Sequence, residues 1–324
     1  MLYPFTFQPI FKERIWGGRN IERLYKKNLP PGIPIGESWE ISDRTDDESV
    51  IANGPLAGKS IRWLMENHRE ELLGSAKPAA SGRFPLLIKI LDAQEKLSLQ
   101  VHPPAAKTAQ LGGEPKTEMW YIADATPDAD LFVGLKRGAT RAEFEKRIQD
   151  GTVAECFHHI PVKKGDAMFL PSGRVHAIGA GNVIFEIQQN SDTTYRVFDW
   201  NRVDAKGKPR ELHIEQSLAS IDFNDIEPEL IHGELAGQNG IKQCDLIRDP
   251  LFSVDLCEMR SGETFQTDQR TMQIIGVLEG ELAVQHEQTN ITLKPGQFCL
   301  GPACLENVSL RTTSTVSFLK IVSG

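Results

Sequence analysis

The 324-residue chain has no apolar run long enough to cross a bilayer, which excludes a membrane-spanning helix. It has no CxxC pair, so zinc held by cysteine is not expected. Its five cysteines (Cys156, Cys244, Cys257, Cys299, Cys304) are odd in number and irregular in spacing. That fits reduced thiols in a cytoplasmic protein rather than a disulfide framework. The first residues, MLYPFTFQPIFKER, lack the basic stretch and apolar core of a secretion signal, which agrees with a cytoplasmic location. There is no HExxH, the helical spacing for a zinc protease. A basic stripe is missing too: the net charge is −8, which argues against nucleic acid as partner but leaves an anionic small molecule open.

Short strands and turns fill much of what is present. The organising stretch runs from Gly165 to Trp200. Ala167-Met168-Phe169-Leu170 has strand length; Pro171, Gly173 and Gly179 to Asn182 break the chain; His176 lies between the breaks. In Val183-Ile184-Phe185-Glu186-Ile187, alternation points Glu186 away from Val183, Phe185 and Ile187. A second informative stretch is FPLLIKILDAQEKLSLQVH, residues 84–102. Its first half is a buried strand carrying Lys89, and in its second half Ser98, Gln100 and His102 share one face. Lys116 and Glu118 share a face of the next strand.

Helices are expected near 60–73 (capped by Ser60), 140–150 (capped by Thr140) and 211–221. Residues 1–58 read as strands and turns, with Trp16 as a core residue, 103–117 as a loop and 201–209 as a polar turn. A boundary within 224–240 divides the chain into 1–235 and 236–324. In the second part, Gly296 to Pro302 repeats the glycine-to-proline spacing of Gly165 to Pro171, and Asn307 takes the position of His176.

Gln100, His102, Glu118 and His176 make a plausible zinc site with N and O donors. The i, i+2 spacing of Gln100 and His102 suits a strand scaffold, on which neighbours two apart converge. His158 and His159 are adjacent, face opposite ways and are read as structural or exposed. Lys89, Lys116 and Arg196 lie in apolar strands or beside the candidate ligands, where an unpaired charge is costly; a polar cavity holding an anion would explain them.

The motif G-x5-P-x-G-x2-H at Gly165 to His176 resembles the second conserved motif of the cupin superfamily. SLQVHP, KTEMW, SGRVHAIG and TYRVFDWNR, in that order, resemble the type I mannose-6-phosphate isomerases, especially the short bacterial form. The resemblance covers about Trp16 to His213 and implies a mainly β fold. That fold would hold two cupin-type jelly-roll barrels: a catalytic one (1–235) with small helical insertions, and a degenerate one (236–324). It implies one zinc ion per chain on Gln100, His102, Glu118 and His176, a catalytic Arg196, and Lys116 in the active site. The reaction implied is the interconversion of mannose 6-phosphate and fructose 6-phosphate through an enediol(ate). Lys116 and Glu186 are the two candidates for the proton-transfer base, and the sequence does not choose between them. Lys89 and Ser98 are candidate phosphate ligands. A small sugar phosphate is the expected partner, with no nucleic acid or membrane and with a monomer marginally favoured. Two alternatives are a metal-dependent cupin oxygenase, against which Gln100 in place of a histidine speaks, and a sugar-phosphate-binding cupin without catalysis.

Overall fold

The computed structural model describes residues 1–203, 207–237, 240–267 and 271–324. Two jelly-roll units of the cupin type, each made of two facing sheets, hold all the described strands but a small two-stranded ribbon, Asp43–Arg44 with Asp47–Glu48. In the first unit a six-stranded sheet runs in the order Ile10–Gly18, Ile35–Ile41, Leu86–Ala93, Asn182–Gln189, Glu118–Ala125, Ala167–Leu170. It faces a five-stranded sheet ordered Tyr195–Phe198, Leu99–Val101, His176–Ile178, Asp130–Leu135, Phe157–Pro161. Leu91, Ile122 and Ile184 from one sheet meet Leu131, Val133 and Ile178 from the other in a shared core.

The second unit repeats this plan. Phe252–Met259, Val316–Ser323, Gln273–Glu279 and Phe298–Gly301 take the places of the last four strands of the six-stranded sheet. Thr264–Gln266, Ser309–Arg311, Leu282–His286 and Thr289–Leu293 form the facing sheet. The pairing corrects one detail of the sequence repeat. His176 pairs with Gln100 in the first unit, and Ser309 pairs with Gln266 in the second. Asn307 therefore does not open the corresponding strand: that strand begins at Ser309, because the turn after Pro302 is two residues longer than the turn after Pro171, and it sends Val308 and Leu310 into the core and turns Ser309 the other way.

Alternation along Asn182–Gln189 joins the two units. Val183, Phe185 and Ile187 belong to the large core shared with the second unit, where the Phe185 and Phe298 rings lie 5.3 Å apart. Glu186 turns the other way, into the first unit, and only 3% of its surface is exposed. The N-terminal segment adds a second tie, since Phe5 and Leu300 exchange two backbone hydrogen bonds of 2.8 Å.

Three helical expectations need correction. Residues 60–73 form two helices, Ile61–Asn67 and Arg69–Leu73, broken at His68, whose φ of −141° is not helical. Ser60 does cap the first, accepting from Trp63 N at 3.2 Å. Asn20–Tyr25 and Ala105–Leu111 are helices in stretches that read as turns or loop. Ala105–Leu111 buries none of its residues, so it has no amphipathic stripe by which to announce itself. Arg141–Gln149 is capped by Thr140 as expected, and the third helix spans Ile214–Ser220. Parts of the expected turn at 201–209 and of the boundary stretch 224–240 lie outside the described residues. Among the described residues no helix is long and apolar enough to cross a membrane.

Candidate metal centre and its cavity

Two cross-strand rows build the site, one on each sheet. On the six-stranded sheet, Glu186 lies between Lys89 and Trp120 in register, and Trp39 lies beyond Lys89. On the facing sheet, Gln100 lies between Arg196 and His176. Glu118 opens the strand that carries Trp120 two residues later, and both side chains share a face. His102 follows the Leu99–Val101 strand on the Gln100 side.

At the floor, His102, Glu118 and His176 are buried and offer ligand atoms that all lie within 4.8 Å of one another. His102 Nδ1 donates to the Thr193 carbonyl at 2.7 Å, and His176 Nδ1 donates to the Arg174 carbonyl at 2.9 Å. A carbonyl only accepts, so both rings carry their proton on Nδ1 and turn an Nε2 lone pair inward. Those Nε2 atoms lie 3.6 Å and 3.3 Å from Glu118 Oε1. His102 Nε2 and Glu118 Oε1 are fully buried without a hydrogen bond, a costly arrangement unless a cation completes it. The Gln100 amide nitrogen is 3.3 Å from His176 Nε2, so a flip of the carboxamide would bring its oxygen to the same place.

The charge states agree. Burial alone would raise Glu118, but the Lys116 ammonium beside it outweighs burial and holds it well below the usual carboxylate range. Burial pushes His176 down to about 3 and lowers His102 as well, the latter with help from Lys116. An ionised carboxylate and two neutral imidazoles, converging on unpartnered atoms, are the donor set of a divalent cation. The residues present therefore fit a resident metal.

Above this floor lies a cavity of about 420 Å³ lined by, among others, Lys89, Ser98, Gln100, Lys116, Glu186 and Arg196. Lys116 Nζ lies 2.6 Å from Glu118 Oε2 and 3.7 Å from Glu186 Oε1. Burial opposes its charge, but these two carboxylates outweigh burial and raise its pKa. Lys89 Nζ lies 3.1 Å from Glu186 Oε1. Arg196 Nε donates to Ser98 Oγ at 3.3 Å and Arg196 Nη1 to the Glu211 carbonyl at 2.8 Å. Among the described residues no carboxylate lies within ion-pair distance of Arg196. Burial, followed by the neighbouring Arg210, lowers its pKa. Arg202 and Arg210 share the carboxylate of Asp199, and Arg202 Nη1 also lies 3.7 Å from Glu95 Oε2, so neither carboxylate is left to pair with Arg196.

Several wall residues escaped the sequence reading. Trp120, two residues after Glu118, donates through Nε1 to Glu186 Oε2 at 3.0 Å. Trp16 is buried in the core as expected but also lines the cavity, beside Arg14. The edge strand Ile10–Gly18 bulges there: Glu13 and Gly18 both face Ile35, which leaves the residues between them out of the ladder. Glu37 also lines the cavity, accepting from Trp39 Nε1 at 2.7 Å and from Arg14 Nε at 3.0 Å. His159, by contrast, is exposed and pairs with Asp130, away from the cavity. All five cysteines are free.

Comparison with known proteins places this geometry among relatives. The model of the type I phosphomannose isomerase catalytic domain matches residues 5–131. The mannose-6-phosphate isomerase ManA of Bacillus subtilis is 40% identical over 281 residues, covering 86% of each chain. The mannose-6-phosphate isomerase of Streptococcus mutans is 34% identical over 95% of each. A crystal structure of the mannose 6-phosphate isomerase from Bacillus subtilis superposes with a TM-score of 0.89 at 31% identity, over 99% of both chains.

Proposed function

This chain belongs to the type I phosphomannose isomerases, and from that premise we propose that it interconverts mannose 6-phosphate and fructose 6-phosphate through an enediol(ate), with zinc in the His102–Glu118–His176 cluster. The observation that carries the reading is the convergence of two Nε2 lone pairs and Glu118 Oε1 beneath a cavity walled by Glu186, Lys116 and Arg196. Gln100 is the fourth proposed ligand. Zinc, when bound, supplies Lewis acidity toward the sugar oxygens without redox chemistry.

The remaining chemistry falls to side chains. The reaction removes the proton on C2 of the open-chain aldose; the C–H electrons become the C1=C2 double bond, and the aldehyde oxygen gains a proton. The C1=C2 electrons then take a proton at C1 while O2 gives up its hydroxyl proton and becomes the C2 carbonyl, which yields the ketose. Between the two candidate bases, the geometry favours Glu186. Its Oε2 is occupied by Trp120, while Oε1 is turned toward the two ammonium groups of Lys89 and Lys116. Lys116, held by two carboxylates, serves as the proton-bearing partner that donates to substrate oxygen. Arg196 does not give up its proton; lacking a carboxylate partner among the described residues, it balances the negative charge of the enediolate or of the phosphate. Ser98, hydrogen-bonded to Arg196, and Arg210 at the same corner extend that anion site. Lys89 serves a phosphate only by leaving its ion pair with Glu186.

The test is a coupled assay of mannose 6-phosphate turnover on protein stripped of metal and then reloaded with zinc. Turnover that appears with zinc supports the reading. Absence of turnover in the loaded protein, or oxygen consumption in its place, would sink it.

A further inference from the structure

We propose that Asp225 and Arg174 form a positioning clamp, outside the cavity, that holds the His176 ring in its metal-binding orientation. The inference rests on the metal reading of the His102–Glu118–His176 cluster, and neither clamp residue touches metal or substrate.

His176 follows the turn from Pro171 to Val175, in which Gly173 has a φ of +97° that side-chain-bearing residues rarely adopt. The acceptor that fixes the His176 tautomer is the carbonyl of Arg174, two residues earlier in the same turn. The ring can be no better placed than that peptide. The Arg174 side chain anchors it in two directions. Nε and Nη2 each donate to Asp225, on Oδ2 and Oδ1, both at 2.8 Å. Nη1 donates to the Phe169 carbonyl at 2.6 Å, in the strand before the turn. Both side chains of the pair are only 16% exposed, so this is a two-pronged charged contact largely shielded from water.

Asp225 is itself pinned. Its carbonyl accepts from Leu135 N at 2.9 Å, and Asp222 N, three residues before it, donates to the Gly173 carbonyl at 2.9 Å. Gly173 N in turn donates to the His102 carbonyl at 2.9 Å. The segment after the last helix of the first unit is thereby fastened to the turn that carries one ligand and, through Gly173, to the backbone of a second. Groups behind a ligating histidine commonly change metal affinity about 10- to 100-fold when removed. Here the path runs from Asp225 to the Arg174 side chain, its carbonyl, the His176 Nδ1 proton and the ring.

The experiment measures zinc release from loaded protein into excess chromogenic chelator, beside the melting temperature of the metal-free forms. Asp225→Asn keeps the shape and removes the charge; Arg174→Met removes the whole fork. Lys320→Met is the control, since it breaks a comparable partly buried ion pair (3.0 Å to Asp255) in the second unit. The clamp predicts release about tenfold faster or more in Asp225→Asn and in Arg174→Met. It also predicts a double variant no faster than the faster single, and an unchanged control. Should Arg174→Met fail to fold, the isosteric Asp225→Asn carries the test alone. Release within about twofold of the parent in Asp225→Asn would overturn the clamp, as would equal acceleration in Lys320→Met. A parent protein that holds no zinc would remove the metal reading and the clamp together.

Discussion

The Trp120 indole joins two chemistries. Its Nε1 donates to Glu186 Oε2 at 3.0 Å, and its ring stands edge-on to His176 with centroids 5.3 Å apart and planes at 87°. One side chain thus braces the proposed base and a proposed metal ligand at once. Trp120→Phe keeps the ring and removes the N–H. A hydrogen bond to a charged group is worth about 1.5–3 kcal/mol, so kcat falls about 10- to 100-fold, with KM and zinc content unchanged. Steady-state kinetics with metal analysis checks this; a change confined to KM would contradict it.

Glu186→Gln separates the two candidate bases. With Glu186 as proton acceptor, the amide loses about 10²- to 10⁴-fold in turnover, and solvent deuterium stops entering the sugar. The variant still binds zinc, because Glu186 is not among the clustered ligands. Persistent exchange would move the role of base to Lys116.

Arg196→Met tests the anion corner. Arg196 is the cavity cation without a carboxylate partner among the described residues, so its loss is felt by the substrate rather than by a neighbouring side chain. A charge-assisted contact of about 1.5–3 kcal/mol predicts at least a tenfold loss of kcat/KM. If the contact is with phosphate, inorganic phosphate also ceases to inhibit competitively. If it is with the enediolate, phosphate inhibition survives while kcat falls.

Acid should weaken the wall opposite this corner. Burial alone would raise Glu37, but Lys89 and Arg14 outweigh burial and bring its pKa from 4.5 to about 2. A carboxylate whose folded pKa is depressed stabilises the fold above its unfolded value, and that contribution is lost as pH falls toward the folded one. Parent and Glu37→Gln should therefore differ in unfolding free energy by on the order of 3 kcal/mol near neutrality. The difference shrinks between about pH 4.5 and 2. Denaturant titrations at several pH values read this directly, and a gap that stays constant with pH would refute it.

Much of the site could be read from text because strands have a period of two. The alternation of Ser98, Gln100 and His102, and that of Glu186 against Val183, Phe185 and Ile187, assigns faces before any coordinates exist. Trp120 was within reach of the same rule, lying two residues after Glu118. Other partners carried no such signal. Asp225 meets Arg174 across 51 residues, and Arg14 enters the cavity only because its strand bulges. Asn307 misled because counting from a proline assumes equal turns, whereas the strand after Pro302 begins only at Ser309. The short helices Asn20–Tyr25 and Ala105–Leu111 have no side-chain cap, so the usual start signal is missing.

Phe5 offers a test of how the two jelly rolls depend on each other. It is fully buried, its ring lies 4.6 Å from that of Tyr3, and its backbone pairs with Leu300 in the second unit. Phe5→Ala leaves the backbone pair intact but empties a ring-sized space, at a cost of about 3–5 kcal/mol. The core it belongs to contains Val183, Phe185 and Ile187, whose strand also carries Glu186. If that core is one cooperative body, the loss appears as a single earlier unfolding transition, and activity and tryptophan fluorescence disappear together. Phe5→Leu, which refills most of the volume, should recover most of the lost stability. Two separated transitions in Phe5→Ala, with activity following only one of them, would mean that the first unit holds its site without the second.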